Sequence, residues 1–119
     1  MHTVIETPGY LRKAKSLMSD ALREAVVTMI AADPSAGDVM TGTGGFRKIR
    51  FALEGSGKSS GARVIYYYCD AGIPVFLVQI YAKNEKANVS GAEKIALSKM
   101  AGEIKRTTGD ELWGRCLKT

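Results

Sequence analysis

Three stretches in the second half of the chain have the composition of β-strands. They span residues 46–53, 62–70 and 74–82 and are rich in β-branched and aromatic residues. The glycine- and serine-rich residues 54–61 join the first pair, and the short segment 71–73 joins the second. Connections of this kind favour neighbouring antiparallel strands. The pattern therefore predicts an antiparallel meander.

The first third of the chain carries helical periodicity. Residues 4–6 are apolar enough for an opening strand, and Thr7 before a proline is typical of a helix start. The spacing predicts one helix over 8–17 and a second that is capped at Ser19 and ends near Asp33, before another proline. Apolar residues of the second helix fall on one face: Leu22, Ala25, Val26, Met29 and Ile30. We expect the two helices to form a hairpin with an apolar side.

A third helix is predicted near the end of the chain. Ser90 and Glu93 have the spacing of a capping box, in which each side chain satisfies a free amide of the other residue. The helix should cover about 91–106, with a buried face made of Leu97, Met100, Ala101 and Ile104. Glycine-rich residues 35–45 are predicted to be a loop, and residues 107–119 have no clear period.

Together these elements predict an α+β fold. A small, twisted, antiparallel-rich sheet is expected to pack against the N-terminal helical hairpin and the C-terminal helix. The length of 119 residues suits one domain, with 107–119 as a candidate C-terminal extension.

Charge and cysteine content narrow the class of protein. The net charge of +5 and the pI near 9.3 favour a polyanionic partner. Cys69 and Cys116 lack the spacing of a metal site, so we expect reduced thiols in a cytoplasmic protein. No stretch approaches the ~20 apolar residues that span a bilayer, so no membrane association is expected.

Alternation along the three predicted strands separates a basic face from an apolar one. Ile49 and Phe51 share one side of the first strand, and Phe76, Val78 and Ile80 share one side of the third. An unpaired guanidinium is costly to bury, so the side of the middle strand that carries Arg63 should remain open. The predicted open face displays Lys48, Arg50, Arg63, Tyr67, Tyr81 and Lys83.

This face has the chemistry of a protein that binds RNA and, as one alternative, cuts it. Cleavage of a phosphodiester requires an activated 2′-hydroxyl or water, neutralisation of charge at phosphorus and protonation of the leaving 5′-oxygen. Arginine and lysine serve the second need, and a lysine or tyrosine with a lowered pKa could serve the others. His2 lies at the terminus and no carboxylate pair has metal-binding spacing, which disfavours histidine-based and two-metal mechanisms. A binding face without chemistry is the other alternative.

Several ordered motifs resemble one family. They are Gly42-Thr43-Gly44-Gly45-Phe46-Arg47-Lys48-Ile49-Arg50, Gly61-Ala62-Arg63-Val64-Ile65-Tyr66-Tyr67-Tyr68 and Ile80-Tyr81-Ala82-Lys83-Asn84-Glu85-Lys86. The order of elements and these motifs resemble the RelE/HigB superfamily of bacterial toxins, closest to its HigB-like branch. The resemblance runs from about residue 4 to 104.

The resemblance implies a RelE-like fold and a toxin of a type II toxin–antitoxin system. Such toxins enter the ribosomal A site, cleave the mRNA without a metal or small-molecule cofactor, and are neutralised by a cognate antitoxin. By motif and position, the catalytic candidates are Lys48, Arg50, Arg63, Tyr81 and Lys83. The RNA-binding candidates are Arg47, Lys58, Tyr67, Asn84 and Lys86.

Two departures from the family pattern keep alternatives open. Some members have an arginine where this chain has Asn84 and a tyrosine in the region of Ser90. The proton-transfer roles are therefore unassigned, with Lys83 or Tyr81 as substitutes. ParE-like toxins share the fold but inhibit DNA gyrase, and a catalytically inactive module that binds its antitoxin is the third alternative.

Overall fold

A computed structural model of the chain describes residues 2–52, 61–69, 73–82 and 89–108, with side chains as far as residue 104. In chain order the elements are β1 (Val4–Glu6), α1 (Pro8–Leu17), α2 (Asp20–Ala32), β2 (Asp38–Val39), β3 (Phe46–Ala52), β4 (Gly61–Tyr67), β5 (Val75–Ala82) and α3 (Gly91–Thr108). The predicted α+β fold is confirmed.

The five strands form one sheet in the order β1-β5-β4-β3-β2. The meander of β3, β4 and β5 is antiparallel as predicted, and β2 adds to β3 in the same sense. β1 lies parallel to β5 at the other edge. The sheet is therefore mixed but mainly antiparallel.

β2 lies within the stretch that was predicted to be only a loop. Asp38 pairs with Lys48, and the turn that follows is closed by the Met40 N–H, which donates to Phe46 O at 2.9 Å. The glycines of this turn matter because Gly45 has φ +126°, and a Cβ there would lie 3.0 Å from the Tyr67 ring. A strand of two residues is too short to show a period of its own, so the sequence did not reveal it.

Both faces of the sheet are covered, which differs from the expected open side. On the hairpin face, Tyr10, Val26 and Ile30 of the two N-terminal helices pack on a cluster that includes Val64 and Leu77. On the opposite face, which we call the α3 face, a second cluster contains Leu97 and Ala101 of α3 and the strand residues Phe46, Ile65, Tyr67 and Tyr81. The predicted open face is thus part of a second hydrophobic core.

The buried stripe on each amphipathic helix is narrower than predicted. Val26 and Ile30 of α2 are fully buried, but Ala25 is exposed and Met29 is 50% exposed. In α3, Leu97 and Ala101 are buried whereas Met100 is exposed. Positions four residues apart on a helix point to the same side, and here this single row makes most of the contact.

The predicted helix starts are confirmed, but the side chain expected to cap α1 makes a different hydrogen bond. Ser19 Oγ accepts a hydrogen bond from Leu22 N at 3.1 Å, so it caps α2. Thr7 occupies the N-cap position of α1, but its hydroxyl donates to Leu77 O of β5 at 2.8 Å. Thr7 therefore attaches the helix start to the sheet and does not cap it.

A bulge in β5 breaks the alternation that was predicted for this strand. Ile65 pairs with Gln79 and Tyr66 pairs with Leu77, so Val78 has no partner in β4. The extra residue puts Val78 in the α3-side cluster and Ile80 in the hairpin-side cluster. The prediction that Phe76, Val78 and Ile80 share one face is therefore wrong for Ile80.

The structure contradicts one expectation about the cysteines. Cys69, two residues after β4, is disulfide-bonded, so the expectation of reduced thiols is wrong for this residue. Sequence spacing cannot show whether two cysteines approach closely enough to pair.

Within the described ranges, none of the helices has the length and apolar character needed to cross a bilayer.

Tyr66 joins the segment before β2 to the sheet. Its buried hydroxyl donates to Pro34 O at 2.7 Å and accepts from Gly37 N at 2.9 Å. Burial raises the pKa of Tyr66, so the phenol is neutral at physiological pH and makes both bonds. The Arg47 guanidinium donates to Gly37 O at 2.9 Å and supports the same segment.

We predict that Tyr66→Phe lowers the free energy of unfolding by about 1–3 kcal/mol, because it leaves two buried backbone groups without their partner. Tyr68→Phe is the matched control, since Tyr68 is half-buried in the adjacent part of the chain and makes ring contacts with His2 and Arg47. Urea denaturation measures both variants. Equal stability of the two would contradict this role of the Tyr66 hydroxyl.

Candidate active site

The strand register places three of the predicted catalytic residues in one line across the sheet. Arg50 of β3 lies directly opposite Arg63 of β4, and Arg63 lies directly opposite Tyr81 of β5. Paired residues on antiparallel strands point to the same face, with Cβ atoms roughly 4.5–5.5 Å apart. We call these three residues the arginine row. It lies on the α3 face.

A second line of residues runs beside the arginine row. Asp38, Lys48, Ile65 and Gln79 are partners across β2, β3, β4 and β5. Lys48 is two residues from Arg50 on the same strand, which corresponds to about 6.6 Å. Lys48, Arg50 and Arg63 therefore form one group of cations, which we call the basic cluster.

The two guanidinium groups converge above Gly61. A Cβ added to Gly61 would lie 3.5 Å from Arg50 Nε and 3.9 Å from Arg63 Nη1. Both side chains therefore lie within contact distance of this one position, where the closest atom to an added Cβ would be Phe51 O at 3.1 Å. Arg50 is exposed and Arg63 is half-buried, and Arg63 Nη1 is a buried donor without a hydrogen-bond partner among the described residues. An anion bound here would supply that partner.

Tyr81 completes the row but is buried, with 2% of its surface exposed. Burial is the largest effect on its pKa and raises it; the Arg63 charge acts in the opposite direction and the Glu93 charge acts in the same direction. The idea that a tyrosine here has a lowered pKa is therefore wrong for Tyr81. The phenol is neutral at physiological pH and lies beside Arg63 on the neighbouring strand.

Two predicted RNA-binding residues are not brought to an accessible site. Tyr67 lies on the α3 face but is fully buried, edge-to-face with Phe46 at a centroid distance of 5.2 Å. Arg47 points to the opposite face because it is one residue from Lys48, and its guanidinium holds Ser35 O and Gly37 O. In this structure neither side chain is placed to stack on a base beside the basic cluster.

Four other predicted site residues lie outside the described residues: Lys58, Lys83, Asn84 and Lys86. Lys58 belongs to the segment between β3 and β4. The other three follow Ala82, the last residue of β5, and precede Val89, where the described chain resumes. Their roles remain predictions from the sequence.

Glu93 is a residue of this site that sequence reasoning identified only as a helix cap. Its Oε1 accepts from Ser90 N at 3.1 Å, and its own N–H donates to Ser90 Oγ at 3.2 Å, which confirms the capping box. Its Oε2 accepts from Gln79 Nε2 at 2.7 Å. Glu93 thus attaches the start of α3 to β5, two residues before Tyr81. The spacing of the capping box gave no signal of this second contact.

The direction of α3 leaves part of its sheet face uncovered by the helix. Its first turn contacts Gln79 through Glu93, and Ala101 further along lies near Gly44 in the turn after β2. The described helix therefore runs away from the arginine row. Three cations at this end of the sheet are suited to bind a phosphodiester, because guanidinium groups offer paired donors to phosphate oxygens.

Fold and site together define a class: a small basic α+β protein whose mixed sheet presents arginine and lysine side chains on one face. The comparison with protein families agrees with this class. The family model described as the RelE toxin of the RelE/RelB toxin–antitoxin system matches residues 7–116. The chain belongs to this family. It is a toxin of a toxin–antitoxin system, and an antitoxin is its partner.

We predict that Gln79→Met, which keeps the length of the side chain but removes its donor, loosens the start of α3. The Glu93 carboxylate then loses the hydrogen bond from Gln79, so the free energy of unfolding should fall by about 1–3 kcal/mol. Amide hydrogen exchange in residues 91–95 should become faster. Ser98→Ala on the exposed side of α3 is the control. Unchanged exchange at the helix start would show that the Gln79–Glu93 bond does not hold it.

Proposed function

We propose that this toxin is a metal-independent endoribonuclease of the HigB-like branch that cleaves mRNA in the ribosomal A site. The observation that carries the proposal is the arginine row, in which register places Arg50 opposite Arg63, with Lys48 beside them. The motif from Ile80 to Lys86 supports the HigB-like assignment.

The basic cluster suits the electrostatic part of RNA cleavage. In a metal-independent reaction the 2′-oxygen forms a bond to phosphorus and passes its proton to water, while the bond from phosphorus to the 5′-oxygen breaks and this oxygen takes a proton from a protonated side chain. Negative charge on the non-bridging oxygens increases in the transition state. Arg50 and Arg63 bind those oxygens, and donors fixed in place before the reaction are the most effective. Arg63 Nη1, which has no hydrogen-bond partner among the described residues, is one such donor.

The two candidates for proton transfer, Tyr81 and Lys83, receive different roles. Tyr81 is buried beside Arg63 on the next strand, so we assign it to positioning Arg63. Lys83 follows two residues later in the sequence and is our candidate donor to the 5′-oxygen. A lysine ammonium carries a proton at physiological pH and can transfer it to a developing alkoxide.

We expect cleavage to depend on the ribosome because the basic cluster offers no evident general base. The described residues on this face offer cations for charge neutralisation but no histidine to remove the 2′-proton. In-line placement of the 2′-oxygen must then provide much of the rate enhancement, because orientation alone can supply several kcal/mol of a barrier. An mRNA codon held in the A site is constrained in this way, whereas free RNA is not.

We predict that the wild-type protein produces cuts in translated messages, mapped by primer extension, that are absent from the same messages when they are not translated. Arg63→Ala should reduce cleavage about 10²-fold or more, because it removes a donor to the transition state. Arg12→Ala, an exposed arginine of α1, is the charge-matched control. Intact mRNA together with inhibited DNA supercoiling would instead support a ParE-like gyrase inhibitor.

The Tyr81→Phe variant tests whether Tyr81 positions Arg63 or transfers a proton. We predict a decrease in kcat of less than about 10-fold and an unchanged pH profile, because the ring still fills its buried place beside Arg63. Cleavage kinetics on programmed ribosomes measure both quantities. A loss as large as that of Arg63→Ala, with an altered pH profile, would make Tyr81 a proton-transfer residue.

A further inference from the structure

A cavity of about 400 Å³ opens beside the basic cluster. It lies between the edge strand β2 and the start of α3, and is lined by Asp38, Val39, Met40, Lys48, Val89 and Lys94. Its volume is at the lower end of the ~300–1,000 Å³ typical of small-ligand sites. Such a space holds one nucleotide and is too small for a protein helix.

The cavity lining combines apolar walls with charged edges. Met40 and Val89 are each 8% exposed and fixed by packing in the α3-side core, while Val39 is 61% exposed at the rim. Apolar side chains of this kind cover the flat face of a base. Lys48 and Lys94 lie on either side, where they can reach phosphate oxygens.

We propose that this cavity is a base-binding subsite for the nucleotide next to the scissile phosphate, with guanine as its preferred base. This inference rests on the proposed nuclease function. Lys48 belongs both to the cavity and to the basic cluster, so one strand of RNA can contact the two sites without a gap. The spacing of Lys48 and Arg50, about 6.6 Å along β3, is comparable to that of neighbouring phosphates in an extended strand.

The preference for guanine follows from Asp38, which is the one carboxylate among the described residues that line the cavity. An ionised carboxylate only accepts hydrogen bonds. Guanine presents two adjacent donors, N1–H and the N2 amino group, which match the two carboxylate oxygens. Uracil presents a single N–H between two carbonyl oxygens, and the carboxylate repels both. Asp38 is exposed at the cavity edge, and Lys48 is its register partner on the neighbouring strand.

The first test maps cut sites across many translated messages. The wild-type protein should favour sites with guanine on one constant side of the cut by about 10-fold, the range of a two-donor base contact. Asp38→Ala should erase the preference while cleavage continues. Lys94→Ala should raise KM several-fold without a change in kcat, whereas Lys99→Ala, on an exposed position of the same helix, should change neither.

A second test does not depend on cleavage. Guanosine monophosphate, titrated into the protein, should shift the methyl signals of Met40 and Val89 more strongly than uridine monophosphate does, and Asp38→Ala should remove the difference. Equal or absent shifts would overturn the subsite even if cleavage is confirmed. Shifts specific to guanosine in a protein that cuts no mRNA would instead overturn the nuclease function.

The antitoxin is the competing occupant of this cavity. If Asp38→Ala leaves the base preference unchanged but weakens neutralisation by the antitoxin, the cavity belongs to the protein interface and the proposal is wrong.

Discussion

The pairing register of β3, β4 and β5 is the constraint on which the site depends. It sets Arg50, Arg63 and Tyr81 side by side, although they are far apart in the sequence. The bulge at Val78 is part of this register, because a shift of one residue moves every following side chain to the other face. Without the bulge, the hydrophobic residues at the start of β5 and Tyr81 could not all face α3.

The register also brings two like charges together, which destabilises the sheet locally. Like charges directly opposite each other on neighbouring strands are destabilising, and Arg50 and Arg63 are such a pair. Hydrophobic packing on both faces of the same strands offsets this repulsion, with Val64 and Ile65 of β4 each fully buried on opposite sides. A repulsive pair maintained by a surrounding core is typical of a functional site, since a bound phosphate would relieve the repulsion.

Much of the fold could be predicted from local patterns. The helix starts at Ser19 and Ser90, the meander and the basic residues of β3 and β4 all follow from caps, alternation and turns. The bulge, β2 and the burial of Tyr67 and Tyr81 could not be predicted in this way. They depend on which strand residues face each other and on where α3 packs, and both are set by contacts between distant parts of the chain.

We propose that Arg50 and Arg63 act as a unit on one phosphate. A double-mutant cycle tests it most directly, with cleavage by wild type, Arg50→Ala, Arg63→Ala and the double variant measured on the same programmed ribosomes. We expect strong coupling, so the double variant should lose little more activity than the more damaging single variant. Losses that simply add would contradict it, because they would show that the two guanidinium groups act independently.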